Sequence, residues 1–119
     1  HYADKEMKED EIKVYTQMIE KLPENSKVLN SYAWRMAELE INLENALIKV
    51  KRAVILSAAN PSSQANIIDT EAEVLWKLKR FDEAINAIEK SIVIDGENQY
   101  FKDQKEKFIQ SKKEANQPV

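Results

Sequence analysis

The chain has 119 residues, 43% of them apolar and 33% charged, with a formal net charge of −3. That is the length of one domain and the composition of a folded core, and its acidic balance gives no overall positive field to hold nucleic acid or an anionic membrane surface. One glycine and three prolines argue against a fold of short strands and tight turns, and the lack of cysteine excludes disulfides, thiolate metal sites and cysteine nucleophiles.

The longest uninterrupted apolar stretch is Ala53–Leu56, far below the ~20 residues that a bilayer span requires. No basic segment followed by an apolar run opens the chain, so no signal peptide is expected. The expected setting is soluble, cytoplasmic or periplasmic, since either compartment accepts a chain without thiols. His1 in place of methionine leaves open a tag remnant or a piece of a longer protein.

The first helical stripe is Ile12, Tyr15, Met18, Ile19 and Leu22, within Glu11–Leu22. Pro23 to Ser26 ends it, with Ser26 expected to cap the next helix. That second helix, Lys27 to about Glu40, carries Leu29, Tyr32, Ala33, Met36 and Leu39. Asn42 opens a third, with Leu43, Ala46, Leu47, Val50, Ala53, Val54 and Leu56 on its apolar side. Ala58–Gln64 contains Asn-Pro-Ser-Ser and reads as a loop. The fourth helix covers about Ala65 to Leu78, with Ile67, Ile68, Ala72, Leu75 and Leu78 inward. Phe81–Ile94 is the fifth, and Asp95-Gly96 is expected to stop it with a left-handed glycine. A sixth, mostly polar, runs from Gln99 to about Lys113. The remaining segments, 1–10 and 114–119, read as an N-terminal extension and a flexible tail.

The third and fifth helices repeat one another. Ala46 matches Ala84, Leu47 matches Ile85, Val50 matches Ile88, Ala53 matches Ser91 and Val54 matches Ile92, at a shift of 38 residues. A period in this range, with one helix pair per period, signals an α-solenoid.

On these residues the chain resembles the tetratricopeptide repeat family, whose unit is a pair of antiparallel helices with small residues where they cross. The strongest likeness is Ala65–Asn98, in which Phe81-Asp-Glu-Ala84-Ile followed by Ile88, Ser91 and Ile94 is similar to the second helix of the motif. Ala72 and Leu75 stand at its small and large first-helix positions. The preceding unit, 26–64, carries the pattern through Leu29, Tyr32, Ala33, Met36, Ala46, Val50 and Ala53, with an extra residue near Glu40–Asn42 and a few more before Pro61. A partial unit at 11–25 and a capping helix at 99–113 flank the two full repeats. The resemblance implies an all-α fold: about six helices in a right-handed superhelical stack of antiparallel pairs. Two full repeats are near the minimum for such a stack, so the flanking helices are expected to contribute to its stability. Glu71 departs from the pattern, standing where a large apolar residue is usual, and is expected either to pair with Lys49 or Lys51 or to mark a rotated helix.

Chemistry-bearing constellations are sparse. His1 is the only histidine, so no nucleophile–histidine or histidine–metal arrangement can be built. Asp69 and Glu73 lie four apart on one helical face, as paired acid–base carboxylates would, but such residues more often form a solvated stripe. They are also too few to complete a magnesium or calcium site. Lys102, Lys105, Lys107, Lys112 and Lys113 are interleaved with Asp103, Glu106 and Glu114, which fits a solvated end helix and not a nucleic-acid surface. No catalytic residue, cofactor or metal is expected.

The resemblance places ligands on a concave face formed by the first helix of each unit. Carried over by position, that face would show Asn30, Trp34 and either Ala37 or Glu38, then Asn66, Asp69, Glu73, Trp76 and Lys77. Trp34 and Trp76 fall off the core stripes, which suits either interface anchors or cover for neighbouring helices. With Asp69 and Glu73 facing only Lys77, an acidic peptide terminus is disfavoured and a basic or aromatic segment favoured. The expected function is a protein-interaction module, a monomer or weak homodimer, that binds a peptide or the rest of its own parent chain and neither nucleic acid nor membrane. The alternative is a C-terminal structural or dimerisation domain, with no ligand of its own, of a larger bacterial protein, a thioredoxin-like one being one option.

Overall fold

The computed structural model describes residues 2–116, with side chains from Lys8 onward. They form six helices: α1 (Tyr2–Lys21), α2 (Ser26–Leu39), α3 (Leu43–Leu56), α4 (Pro61–Lys77), α5 (Phe81–Ile94) and α6 (Gln99–Ala115). No strand occurs among the described residues. The protein is all-α, as the scarcity of glycine and proline requires.

Connections alternate in length, 22–25, 57–60 and 95–98 being one residue longer than 40–42 and 78–80. Each longer connection ends in an asparagine that caps the next helix. Asn25 accepts from the Val28 amide, Asn60 from Ser63 and Asn98 from Phe101, at 3.1 to 3.2 Å. Each side-chain oxygen satisfies an amide that the first helical turn leaves without a partner. The cap of α2 is therefore Asn25, and the expected cap Ser26 is the first helical residue. Likewise α4 starts at Pro61 inside the expected loop, because proline at the first position needs no donor and has its φ already set.

The shorter connections turn through left-handed backbone. Glu40 (φ 56°) and Lys79 (φ 64°) close α2 and α4, with Ile41 N–H then donating to the Met36 carbonyl and Arg80 N–H to Leu75. Asn42 (φ 52°) adds a second left-handed residue to the first turn only, where the sequence carries its extra residue. Gly96 does not adopt positive φ, so the expected left-handed glycine after α5 is not found.

The core is continuous from α2 to α6. Alanines 33, 37, 46, 53, 72 and 84 and Ser91 are fully buried between the packed helices, together with the larger Leu29, Met36, Val50, Leu75, Ile88, Phe101 and Phe108. A small residue at a crossing lets two backbones approach, while a branched one would hold them apart. Ser91 meets the requirement by donating its buried hydroxyl to the Ala65 carbonyl at 2.8 Å. Helices α2 and α3 pack together, α4 packs on α2, α3 and α5, and α6 packs on α5. Helix α1 packs on α2 through Ile12, Tyr15 and Ile19. It begins at Tyr2, so the expected extension over 1–10 is helical from Tyr2. At the other end α6 continues to Ala115, and the expected tail beyond Asn116 lies outside the described residues.

Candidate functional site

Helices α2, α4 and α6 border a shared cleft of about 480 Å³. The four-residue steps Asn30–Trp34–Glu38 and Ser31–Arg35 bring five side chains of α2 to it. Helix α4 adds Asn66, Asp69 and Thr70, α6 adds Tyr100 from its first turn, and α1 adds Tyr15. Tyr15 is held edge-on against Tyr32, with ring centroids 5.9 Å apart. Arg35 is bracketed by two carboxylates, Glu11 of α1 and Glu38 one turn along its own helix.

Asp69 is 6% exposed. It accepts a hydrogen bond from the Gln104 side-chain amide at 3.1 Å, and the same nitrogen reaches Glu73 at 3.0 Å. Lys107 pairs with Glu73 at 3.0 Å. Burial pushes the Asp69 carboxyl up to about 6, with the Glu73 charge adding to the rise and the Gln104 bond and Lys107 opposing it. Tyr100 lies in the same negative field: burial first, then Asp69 and Glu73, push its phenol up to about 12. Across the cleft, Asn30 has a buried amide oxygen with no hydrogen-bond partner.

Five of the eight residues expected in the groove line this cleft: Asn30, Trp34, Glu38, Asn66 and Asp69. Between the alternatives Ala37 and Glu38, it is Glu38 that reaches the cleft, because Ala37 is fully buried. The other three are placed differently. Glu73 lies under α6, held by Gln104 and Lys107, and is not part of an open stripe. Trp76 donates its indole N–H to the Ser111 hydroxyl at 2.8 Å, stacks near Phe108, and carries Lys107 4.0 Å above its ring. Lys77 pairs with Glu40 at 3.2 Å, so the cation that opposes Glu73 is Lys107. Trp76 and Lys77 border a separate cleft of about 440 Å³ with Glu40 and Phe81.

Sequence reasoning missed Tyr15, Ser31, Arg35, Thr70 and Tyr100. Ser31 and Arg35 come one residue after Asn30 and Trp34, so a wider helical face would have included them. Tyr100 comes two residues after an asparagine cap and had a positional signal as well. Nothing local marks Tyr15, whose place depends on how α1 packs. Glu71 does pair with one of its two expected partners, Lys51, at 3.3 Å.

Among the described residues no group of three acidic or histidine side chains is placed to hold a metal ion. Aromatic walls, unspent acceptors and charges of both signs are what recognition of a polar ligand uses. No protein-family model matches the chain, and no curated protein matches it in sequence. Among the described residues no helix is long and apolar enough to cross a membrane.

Proposed function

We propose that the chain is a tetratricopeptide-like helical repeat array that works as a protein-interaction module, receiving a peptide segment or neighbouring domain in the cleft between α2, α4 and α6. The observation that carries this reading is the contrast between equivalent helices. On α4, Trp76 and Glu73 bond to α6, Trp76 with one edge on the separate cleft; on α2, Trp34 and Asn30 line the shared cleft with no side-chain bond to another helix among the described residues, beside Glu38. A half-buried tryptophan in a cleft with an unsatisfied amide oxygen has binding capacity that the fold itself does not use. The repeat reading is supported by the alternating connections, the recurring asparagine caps and the small residues buried between packed helices.

Selection of peptides from a displayed random library tests it. Peptides that bind the wild type and lose on the order of tenfold or more in affinity for Trp34→Ala are expected, as for an interface anchor worth about 2 kcal/mol. If the library yields no binder, or binders indifferent to Trp34, the cleft is not the recognition surface.

A second reading, a structural or dimerisation domain of a larger chain, is favoured by apolar residues outside the cleft. Val14 and Met18 of α1 and Leu22 just after it are exposed at four-residue steps, and Ile55 and Val93 are exposed at matching positions of α3 and α5. Light scattering across a concentration series tests dimerisation: a mass that doubles with concentration favours this reading, and a constant monomer mass removes its dimer version.

A further inference from the structure

We propose that the cleft holds one protonated side chain of a bound peptide, an arginine guanidinium or lysine ammonium, with Asp69 as its counter-charge and Trp34 and Tyr100 as its walls. This rests on the interaction-module reading and deepens it by naming the chemistry that the cleft selects.

Charge is out of balance here. Around the cleft and its floor stand Glu11, Glu38, Asp69 and Glu73 against Arg35 and Lys107. Both cations are already committed, Arg35 to Glu11 and Glu38, and Lys107 to Glu73. Among the described residues no lysine or arginine forms an ion pair with Asp69, whose one hydrogen-bond donor is the neutral Gln104 amide. A buried carboxylate without a cation is costly, and its raised proton affinity expresses that cost. A cation supplied from outside would remove the cost, so binding energy and relief of strain act together.

Two further features fit the same ligand. Asn30 has a buried amide oxygen with no donor to meet it, and a guanidinium or ammonium is rich in N–H donors and has no acceptor. Trp34 and Tyr100 line the cleft with aromatic surface, over which cations are favoured. An anionic ligand meets the opposite conditions: among the described residues Arg35 is the one cation lining the cleft, and two carboxylates engage it. A purely apolar ligand would leave Asp69 with only the neutral Gln104 amide and the Asn30 oxygen with no donor.

The test takes binders selected from the random library and replaces each basic residue in turn by citrulline (for arginine) or norleucine (for lysine), then measures affinity for the whole chain at pH 7.5. One position is expected at which the neutral replacement weakens binding about tenfold or more, matching the usual size of a charge-assisted contact. Asp69→Asn, which keeps an oxygen for Gln104, is expected to abolish that difference while still binding the peptide backbone. If Asp69→Asn does not fold, the citrulline and norleucine comparison on the wild type carries the test alone. Binders that tolerate every neutral replacement would overturn the cation assignment and leave the interaction module standing. A charge preference that persists undiminished in a folded Asp69→Asn would also overturn it, placing the cation on another carboxylate. The absence of any binder removes the module itself.

Discussion

Gln104 of α6 and Asp69 of α4, 35 residues apart, share a hydrogen bond of 3.1 Å that joins the last helix to the floor of the cleft. The bond is neutral on one side, and the nearby cation Lys107 is paired with Glu73, so Asp69 is buried without full compensation. Its carboxyl is raised from 3.8 to about 6 in the folded chain, mainly by burial. Between these values the folded state keeps a proton that the unfolded state has released. Stability therefore falls as pH rises from about 4 to about 6, and the whole penalty is present above that window. Asp69→Asn removes the titration and keeps an acceptor for Gln104. The variant is expected to be more stable than wild type at pH 7 by on the order of 2 kcal/mol, and to match it near pH 4. Urea melts from pH 4 to pH 8 check this; a difference that does not change with pH would contradict the assignment.

The two tryptophans are expected to separate cleanly in stability. Trp76 is a half-buried strut, bonded to Ser111 and packed on Phe108. Trp76→Ala should cost about 3 kcal/mol, and Trp76→Phe about 1 kcal/mol through the lost hydrogen bond. Trp34 lines an open cleft, and Trp34→Ala should cost less than about 1 kcal/mol of folding stability. Thermal denaturation of the three variants decides it: equal losses for the two alanine variants would mean that Trp34 is also part of the core.

Why the sequence separated neither pair of roles is a matter of range. The apolar stripes of α2 to α5, the small buried residues and the boundaries of α3 and α5 come from local periodicity, and these the sequence displays directly; of the stripe expected on the first helix only Ile12, Tyr15 and Ile19 pack on the core, Met18 and Leu22 being exposed. The wheel that placed Trp34 and Trp76 off the core stripes considered only each helix's own period. Whether the off-core face meets water or another helix depends on α6, whose docking rests on Phe101, Gln104 and Phe108 and is not a local property. Asp69 reads as part of a solvated stripe for the same reason: its hydrogen-bond partner, Gln104, stands on a distant helix. The cap of α2 was legible to within one residue, as Asn25 and Ser26 are both good cap formers and only the backbone separates them, whereas the start of α4 lay four residues before the expected one because Asn60-Pro61 also reads as a turn.

Helix α1 is attached through one face. Ile12, Tyr15 and Ile19 pack on the core, and Glu11 binds Arg35. Deleting His1–Pro23 removes these contacts together with the Tyr15 wall of the cleft. The melting temperature is expected to drop by about 5 °C or more, since 1 kcal/mol shifts a domain of this size by roughly that amount. Circular dichroism melts of the shortened chain check it, and an unchanged melt would show that α1 adds nothing to the stability of the other helices.

The glycine and the left-handed residues of the chain are in exchanged places, and this gives a paired prediction. Lys79 adopts φ 64° at an exposed turn, where a side chain crowds the backbone and glycine does not. Gly96 has no positive φ, and a Cβ added there would meet only the Ile92 carbonyl oxygen at 3.5 Å, an ordinary contact. Lys79→Gly should therefore stabilise by about 0.5 kcal/mol, the relief of backbone strain exceeding the greater entropy of the unfolded glycine. Gly96→Ala should stabilise by a similar ~0.5 kcal/mol, because alanine restricts the unfolded chain without straining the folded one. The sites are far apart in sequence and share no hydrogen bond, so the double variant should show the sum. Denaturant midpoints of the three variants check the pair. A loss of about 1 kcal/mol on Gly96→Ala would mean that α5 ends in the left-handed conformation after all.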